Sequence, residues 1–472
     1  MKQGKYYILL TVILCCISGI SFAQEKVTIE KIYIDGNKIT KKHIILRELE
    51  VHEGDTVDVN LLDEYIDKSL ENLANLGIFN FQDIYIIRPD DTDKVRLFVQ
   101  VTERWYVFPS PYAAVADRNL TAWYNRGKDR WRHLNYGFWL FWNNFRGRAE
   151  TIDFLFKTGF DQHYQLTYKV PYLNRRKTLG ITTGLLYVRS HQTNAITLNN
   201  KDIFYPYPIR REEFAKKLKE VFTQFVYRKD IHTRHIWQVS YSDYHFSDSL
   251  LILNPYFSFA GNTQNRFFGL MYMIKHDFRN YIHYPLKGYY IDFMIRRRGF
   301  GLGNFRFEDG STEVAFNIRK YIPLSGKFYF ATGFQAFHSL KRNTPYFYSP
   351  ELGDMRSLIR GYENFTVRGQ SFAIVRNNLK YELLPSTTFL VKGIREEFGK
   401  VHYSLYLNLF ADAGYMKDAF FPLENTMGDR LLLGGGIGLD LLTYYDKVLR
   451  LEFSYHHFGG GFGFHVHYIP SI

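Results

Sequence analysis

The residues in this 472-residue chain best suited to chemistry are charged groups set among alternating apolar ones, and they do not form the pattern of an enzyme. Arg360-Gly361-Tyr362 carries a guanidinium at the centre of "SLIRGYENFTVRGQ", a stretch poor in regular periodicity. Phe410-Ala411-Asp412-Ala413-Gly414 lies in an alternating run that puts Asp412 on its polar side. Arg376, Lys380 and Glu382 share one face by two-residue spacing. There is no Gly-x-Ser-x-Gly, no His-Glu-x-x-His and no phosphate-binding glycine loop, so the chain reads as not an enzyme, with no cofactor. His456, His457, His465 and His467 could suggest a metal, but they fall at the end of strand-like segments and give no ligand spacing that specifies one. Gly434-Gly435-Gly436 and Gly438 lie within a strand pattern and read as close packing.

The elements that position these residues begin with a leader. Lys2 and Lys5 precede an apolar run from Tyr6 to Ile20, followed by Ser21-Phe22-Ala23, the three parts of a secretory signal peptide over residues 1–23. Cleavage is expected between Ala23 and Gln24. The two cysteines of the chain, Cys15 and Cys16, lie inside the leader. The mature chain then has no disulfide, thiolate nucleophile or cysteine metal ligand. Leu14 before Cys15 argues against a lipoprotein signal.

Composition narrows the class. Aromatics make up 18% of residues, with 37 Tyr and 42 Phe. That suits a surface apolar along its body and wet at its rim, the girdle of a membrane barrel, and equally an aromatic-rich soluble β protein. The mean hydropathy of −0.27 excludes a bundle of membrane helices and leaves a barrel open, because only alternate strand residues face lipid. The formal charge of +13 comes without a dense Lys/Arg tract or nucleic-acid motif, so it reads as a generally basic surface that can meet anionic headgroups, and nucleic acid is not a partner.

Residues 26–104 read as a small α/β domain. Val27, Ile29, Ile32 and Ile34 form a strand closed by Asp35-Gly36-Asn37. Thr40 is placed to cap a helix over Lys41 to Glu50, and a second helix carries Leu62, Tyr65, Ile66, Leu70 and Leu73 on one side before Gly77. Strands Phe81 to Ile87 and Val95 to Val101 flank the Pro89-Asp90-Asp91 turn. With its Gly36-Asn37 turn, Gly54-Asp55, Leu76-Gly77-Ile78-Phe79 and closing Glu103, the stretch resembles a POTRA domain. That resemblance implies a periplasmic module that adds an extended client strand to its sheet edge, or a spacer that only holds partners.

Residues 105–472 are filled with period-two segments such as Tyr403, Leu405, Leu407 and Leu409 against Ser404 and Asn408. About sixteen or seventeen segments, many near the 9–11 residues that cross a bilayer and joined by short and long connections, favour a transmembrane antiparallel β-barrel over a soluble sandwich. The fold class expected is thus mainly β: a small α/β domain followed by an outer-membrane barrel of about 16 strands. A short helix is expected near Arg210 to Val221; segment 250 to 260 is strand or loop; Arg296-Arg297-Arg298 reads as a strand end at the headgroups.

Arg360-Gly361-Tyr362 in the longest loop, the Phe-x-Asp-x-Gly of residues 410–414 and Asp277-Phe278-Arg279 with Pro285 and Gly288 resemble the BamA/TamA superfamily of outer-membrane assembly factors. The resemblance implies that the loop folds into the lumen and that Arg360, Gly361, Tyr362 and Asp412 fasten it there. Asn378-Leu379-Lys380-Tyr381-Glu382 departs from the family pattern by exchanging two charges, which implies a rewired lumen network of Arg376, Lys380 and Glu382. Pro109 and Pro111 in the first barrel strand and Gly461 and Gly463 in the last weaken pairing at the closing seam, which suits a lateral gate and equally a bulged closure. The implied function is assembly or translocation of unfolded outer-membrane or secreted clients, with outer-membrane lipid, lipopolysaccharide and accessory periplasmic lipoproteins as further partners. The alternative is a passive channel or structural barrel.

Overall fold

The computed structural model describes residues 25–89, 92–116, 124, 127–205, 214–300, 307–340, 344–353, 357–390, 393, 400–417, 424–443, 447–458 and 460–467. The expected leader, with Ala23 and Gln24, lies outside the described residues.

The N-terminal domain contains β1 (Lys26–Asp35), α1 (Lys42–Leu46), β2 (Thr56–Asp58), α2 (Val59–Asn75), β3 (Phe79–Ile87) and β4 (Lys94–Glu103). Its sheet runs β2-β1-β4-β3, with β1 and β4 parallel and the other pairs antiparallel. In β1 the apolar spacing slips from 27 and 29 to 32. A register shift between Ile29 and Lys31 absorbs the extra residue, so Val27, Ile29 and Ile32 all reach the core. Val95, Leu97, Val99 and Val101 alternate inward from β4 to meet Ile44, Ile45, Leu62, Ile66 and Leu73 of the two helices. Asp58 caps α2 by accepting the Asn60 amide at 2.9 Å. The first helix is shorter than the sequence predicts, and Thr40 does not cap it: the preceding position, Lys41, makes no side-chain cap. The Thr40 hydroxyl turns instead to the Tyr106 hydroxyl at 3.1 Å and the Asn144 amide at 2.8 Å, partners outside the domain.

The strands that follow are β5 (Val107–Val115), β6 (Leu134–Phe145), β7 (Glu150–Gly159), β8 (Gln162–Val170), β9 (Leu179–Ser190), β10 (Asn194–Leu198), β11 (Lys201–Phe204), β12 (Lys216–Arg228) and β13 (Thr233–Phe246). Then come α3 (Asp248–Leu253), β14 (Gln264–Asp277), β15 (Gly288–Arg298), β16 (Ser311–Pro323), β17 (Phe328–Ser339), β18 (Glu351–Leu352) and β19 (Val367–Arg368). The last five are β20 (Ser371–Leu390), β21 (Lys400–Lys417), β22 (Leu431–Thr443), β23 (Lys447–His456) and β24 (Gly461–His467). Sixteen of these make one antiparallel sheet in chain order from β5 to β24, and β10-β11 and β18-β19 are separate loop hairpins.

Side-chain direction separates a membrane barrel from a soluble sandwich. Leu407 and Leu409 on β21 are 43% and 55% exposed, whereas Asn408 and Asp412 on the other face are 0% and 3% exposed. On β23, Leu451 and Phe453 likewise face out and Arg450 and Glu452 are buried. Apolar-out and polar-in is the polarity of a barrel in lipid. No helix among the described residues is long and apolar enough to cross a membrane.

Short turns, including 146–149, 229–232 and 324–327, lie at the end that meets the N-terminal domain, and long connections at the other. Two expectations about those connections change. Residues 216–221 of the expected helix near Arg210 to Val221 are the start of β12, where two ladders hold them, and 210–213 lie outside the described residues. Segment 250 to 260 contains α3 and a one-turn helix at Phe259–Gly261. Phe246, Phe257, Phe259, Phe267 and Tyr346 close this end as an aromatic cluster, to which the 340–370 loop is joined by the Tyr346 amide donating to the Tyr256 carbonyl at 2.9 Å.

Candidate functional site

From that outer attachment the 340–370 loop reaches the inner wall of β20 to β24. Arg360 is 1% exposed. Its Nε and backbone N–H donate to Asp412 Oδ2 at 2.8 and 3.1 Å, Nη2 donates to Asp412 Oδ1 at 2.5 Å, and Nη1 donates to Asn378 Oδ1 at 2.6 Å. The guanidinium carbon stands 4.0 Å from the centroid of the Phe410 ring, so Phe410 and Asp412 act on the same cation from two sides. Tyr362 donates its hydroxyl to the Leu433 carbonyl at 3.1 Å. Glycine makes the approach feasible: a Cβ on Gly434 would lie 2.0 Å from the Arg360 carbonyl oxygen, and Gly361 has φ +99°. Desolvating such a pair offsets much of its attraction, so it fixes the loop's position more than it adds net stability.

The rest of the expected network divides. Arg376 is buried, with Nε donating to the Leu358 carbonyl at 2.9 Å, and so supports the loop from below. Lys380 is 2% exposed, its ammonium 3.9 Å from the Tyr284 ring centroid. Glu382 lies toward the short-turn end and accepts the Tyr406 hydroxyl at 3.4 Å. A centre the sequence did not signal lies between them. Arg450 and Asp440 pair at 2.6 and 2.8 Å, and Tyr284 donates to Asp440 Oδ2 at 2.7 Å. Tyr284 belongs to the 278–287 turn, which folds inward to pack on Tyr406 and Val448. Partners about ten residues apart across a hairpin leave no local motif to find. Of the expected headgroup cluster, Arg296 and Arg298 instead face inward to Glu313, which is 2% exposed, while Arg297 bonds Thr312 on the opposite face. The two-residue period of β15 requires that split.

The N-terminal domain is fastened to the short-turn end. Glu48 accepts Arg228 Nη1 and Nη2 at 2.8 and 2.7 Å and the Tyr172 hydroxyl at 2.8 Å. Asn75, at the end of α2, accepts the Ile282 amide at 2.9 Å and donates to the Asn280 carbonyl at 3.2 Å. Lys41 donates its amide to the Gly147 carbonyl at 2.9 Å. The closing Glu103 accepts the amides of Ile39 and Thr40, which holds that strand end against the 36–41 turn.

At the seam, Pro109 and Pro111 face Leu140 and Phe138 across β5-β6, and Gly461 and Gly463 face His456 and Ser454 across β23-β24. Among the described residues no ladder joins β5 to β24.

Residues 27–104 match the POTRA family model, described as a surface antigen variable number repeat. The structure of CdiB from Escherichia coli is similar over 92% of this chain and 72% of that one, at 10% identity and TM-score 0.55. BamA from Haemophilus ducreyi lacking POTRA domains 1-3 aligns over 93% of this chain and 83% of that one, at 15% identity and TM-score 0.48. No curated protein matches significantly. The chain thus carries a stretch that matches the POTRA family model, followed by a 16-stranded antiparallel sheet, and its fold is similar to that of CdiB.

Proposed function

We propose that this chain is an outer-membrane assembly or translocation factor. Client chains, unfolded outer-membrane or secreted proteins, are captured at the periplasmic POTRA domain and passed through the barrel or its lateral seam. The observation that carries this reading is the seam: among the described residues β5 and β24 are the two ends of the sheet and no ladder joins them, beside a loop held at Arg360 and Asp412. An unpaired strand edge offers main-chain donors and acceptors to an incoming strand. Lipid or lipopolysaccharide would face the apolar outer wall, and periplasmic lipoproteins would meet the POTRA domain.

The test is a disulfide across the seam, one cysteine within 107–114 and one within 462–467, in a chain whose own cysteines are confined to positions 15 and 16. Loss of client assembly under oxidation, restored by reduction, supports the gate. A crosslinked protein that still assembles its clients overturns it and favours a lumen translocator or a passive channel.

A further inference from the structure

Two histidines and two glutamates converge where the lumen loop meets the last strand. Glu363 follows Arg360-Gly361-Tyr362 directly, Glu452 projects inward from β23, and His465 and His467 share one face of β24. His467 Nε2 lies 3.0 Å from Glu452 Oε2 and 3.6 Å from Glu363 Oε1, and His465 Nε2 lies 3.1 Å from Glu363 Oε2. Ligand atoms from Glu363, Glu452 and His467 all fall within 4.8 Å of one another. Tetrahedral ligands bonded to zinc at about 2.0–2.1 Å stand roughly 3.3 Å apart, a spacing these contacts bracket.

An independent observation concerns hydrogen bonding. The Glu452 side chain is 1% exposed, and apart from the 3.0 Å contact with His467, an ion pair only when that imidazole is protonated, neither of its oxygens accepts a hydrogen bond. Apart from these His–Glu contacts, Glu363 Oε1 and the Nε2 atoms of His465 and His467 make no hydrogen bond either. Buried polar atoms without hydrogen bonds are uncommon and call for a cause. The nearby arginines do not supply it. Arg360 is bound to Asp412 and Arg450 to Asp440, and each comes only within 3.7 Å of Glu452, at Oε1, leaving Oε2 toward His467. His456, by contrast, packs on the rings of Tyr362 and Phe365 and belongs to a different cluster.

We propose that Glu363, Glu452 and His467, with His465 beside Glu363, bind a divalent transition metal of the zinc class. An imidazole ligand beside two carboxylates favours such an ion over calcium or magnesium, which take oxygen ligands. The bound ion ties the lumen loop to β23 and β24, the strands at one side of the seam. Binding requires neutral imidazoles, so it weakens on acidification.

The test uses the full chain in detergent, without a histidine tag, stripped with chelator and titrated with zinc against a chromophoric competitor. The expected result is stoichiometric binding to the wild type, weakened at least about tenfold in His467→Gln and in Glu363→Gln and unchanged in His245→Gln. X-ray absorption should show a first shell of imidazole nitrogen and carboxylate oxygen. Glu363 lies in the loop, so its variant reports binding even where His467→Gln fails to fold. Substoichiometric zinc in the wild type, or wild-type affinity in either folded variant, overturns the proposal. The readout is metal binding alone and is independent of client handling.

Discussion

Replacing Glu48 by Gln tests how firmly the N-terminal domain is held to the barrel. Burial pushes the Glu48 carboxyl up, and the Arg228 guanidinium outweighs that, leaving it below the usual range. Gln keeps the shape and loses the charge, so Arg228, 11% exposed at its side chain, is left without its bidentate partner. Breaking one side of a buried pair costs about 3–5 kcal/mol. At 1.4 kcal/mol per tenfold, the docked state loses roughly a hundredfold to a few thousandfold in population relative to the undocked. The contacts of Asn75 and Thr40 remain, so the domain stays tethered and samples more orientations. Spin labels at Asp63→Cys on α2 and Lys320→Cys on β16 report this as a distance distribution. The wild type should give one narrow peak and Glu48→Gln a broadened one. In Glu48→Gln/Arg228→Gln the combined effect should be smaller than the sum of the single changes, because the second change removes an uncompensated charge. An unchanged narrow peak in Glu48→Gln, or strictly additive effects, would show that this pair does not hold the domain.

Three further outcomes follow from the site. Asp412→Asn leaves Arg360 with Glu452 at 3.7 Å as its nearest anion and should free the loop by about 3–5 kcal/mol, seen as faster proteolysis within 340–370; an unchanged cleavage rate refutes it. Gly434→Ala drives a methyl into the Arg360 carbonyl and should destabilise the barrel by about 1–3 kcal/mol in denaturant unfolding, whereas Gly435→Ala, whose nearest neighbour is the Phe410 oxygen at 3.2 Å, should cost less. Burial lowers the pKa of His232, but the Glu50 side chain and the Asp277 carbonyl outweigh it and hold the imidazole above its ordinary value. His232 in turn lowers the Glu50 carboxyl. The imidazolium's contribution is therefore complete below about pH 6.5 and is lost as pH rises through the raised value, while that of Glu50 is lost as pH falls below about 4.5. The label distance should broaden on the alkaline side in wild type and not in His232→Gln; identical pH responses would refute the pair's role.

Much of the fold is legible because lipid and lumen impose opposite polarity on alternate residues. Leu407 and Leu409 against Asn408 show the strand and its two faces without any tertiary information. The POTRA pattern is similarly local, since Gly36, Gly77 and the valines of β4 each answer to a turn, a helix end or a sheet face. The missing Thr40 cap is not legible, because Thr40 is drawn to Tyr106 and Asn144, which are 66 and 104 residues away. Asp412 could be placed beside the loop because one short motif carries it. Arg450, Asp440 and Tyr284 could not, since the inward fold of the 278–287 turn brings the tyrosine across 156 residues to its carboxylate. The histidines illustrate the same limit: four in sequence proximity divide into two unrelated clusters once β23 and β24 pair.

The loop that joins Tyr346 to the outer cluster and Arg360 to the inner wall has a geometric consequence. Sixteen strands joined by fifteen ladders among the described residues form an arc, and twist alone does not set the gap between its ends. A segment fixed at two separated points of an arc is a chord, and the length of a chord sets the aperture. On the lateral-gate reading, letting one end of that chord go would change the aperture without breaking a single ladder bond. On that reading, widening the gap would cost on the scale of one ion pair and its few hydrogen bonds, far below the cost of peeling one strand from another.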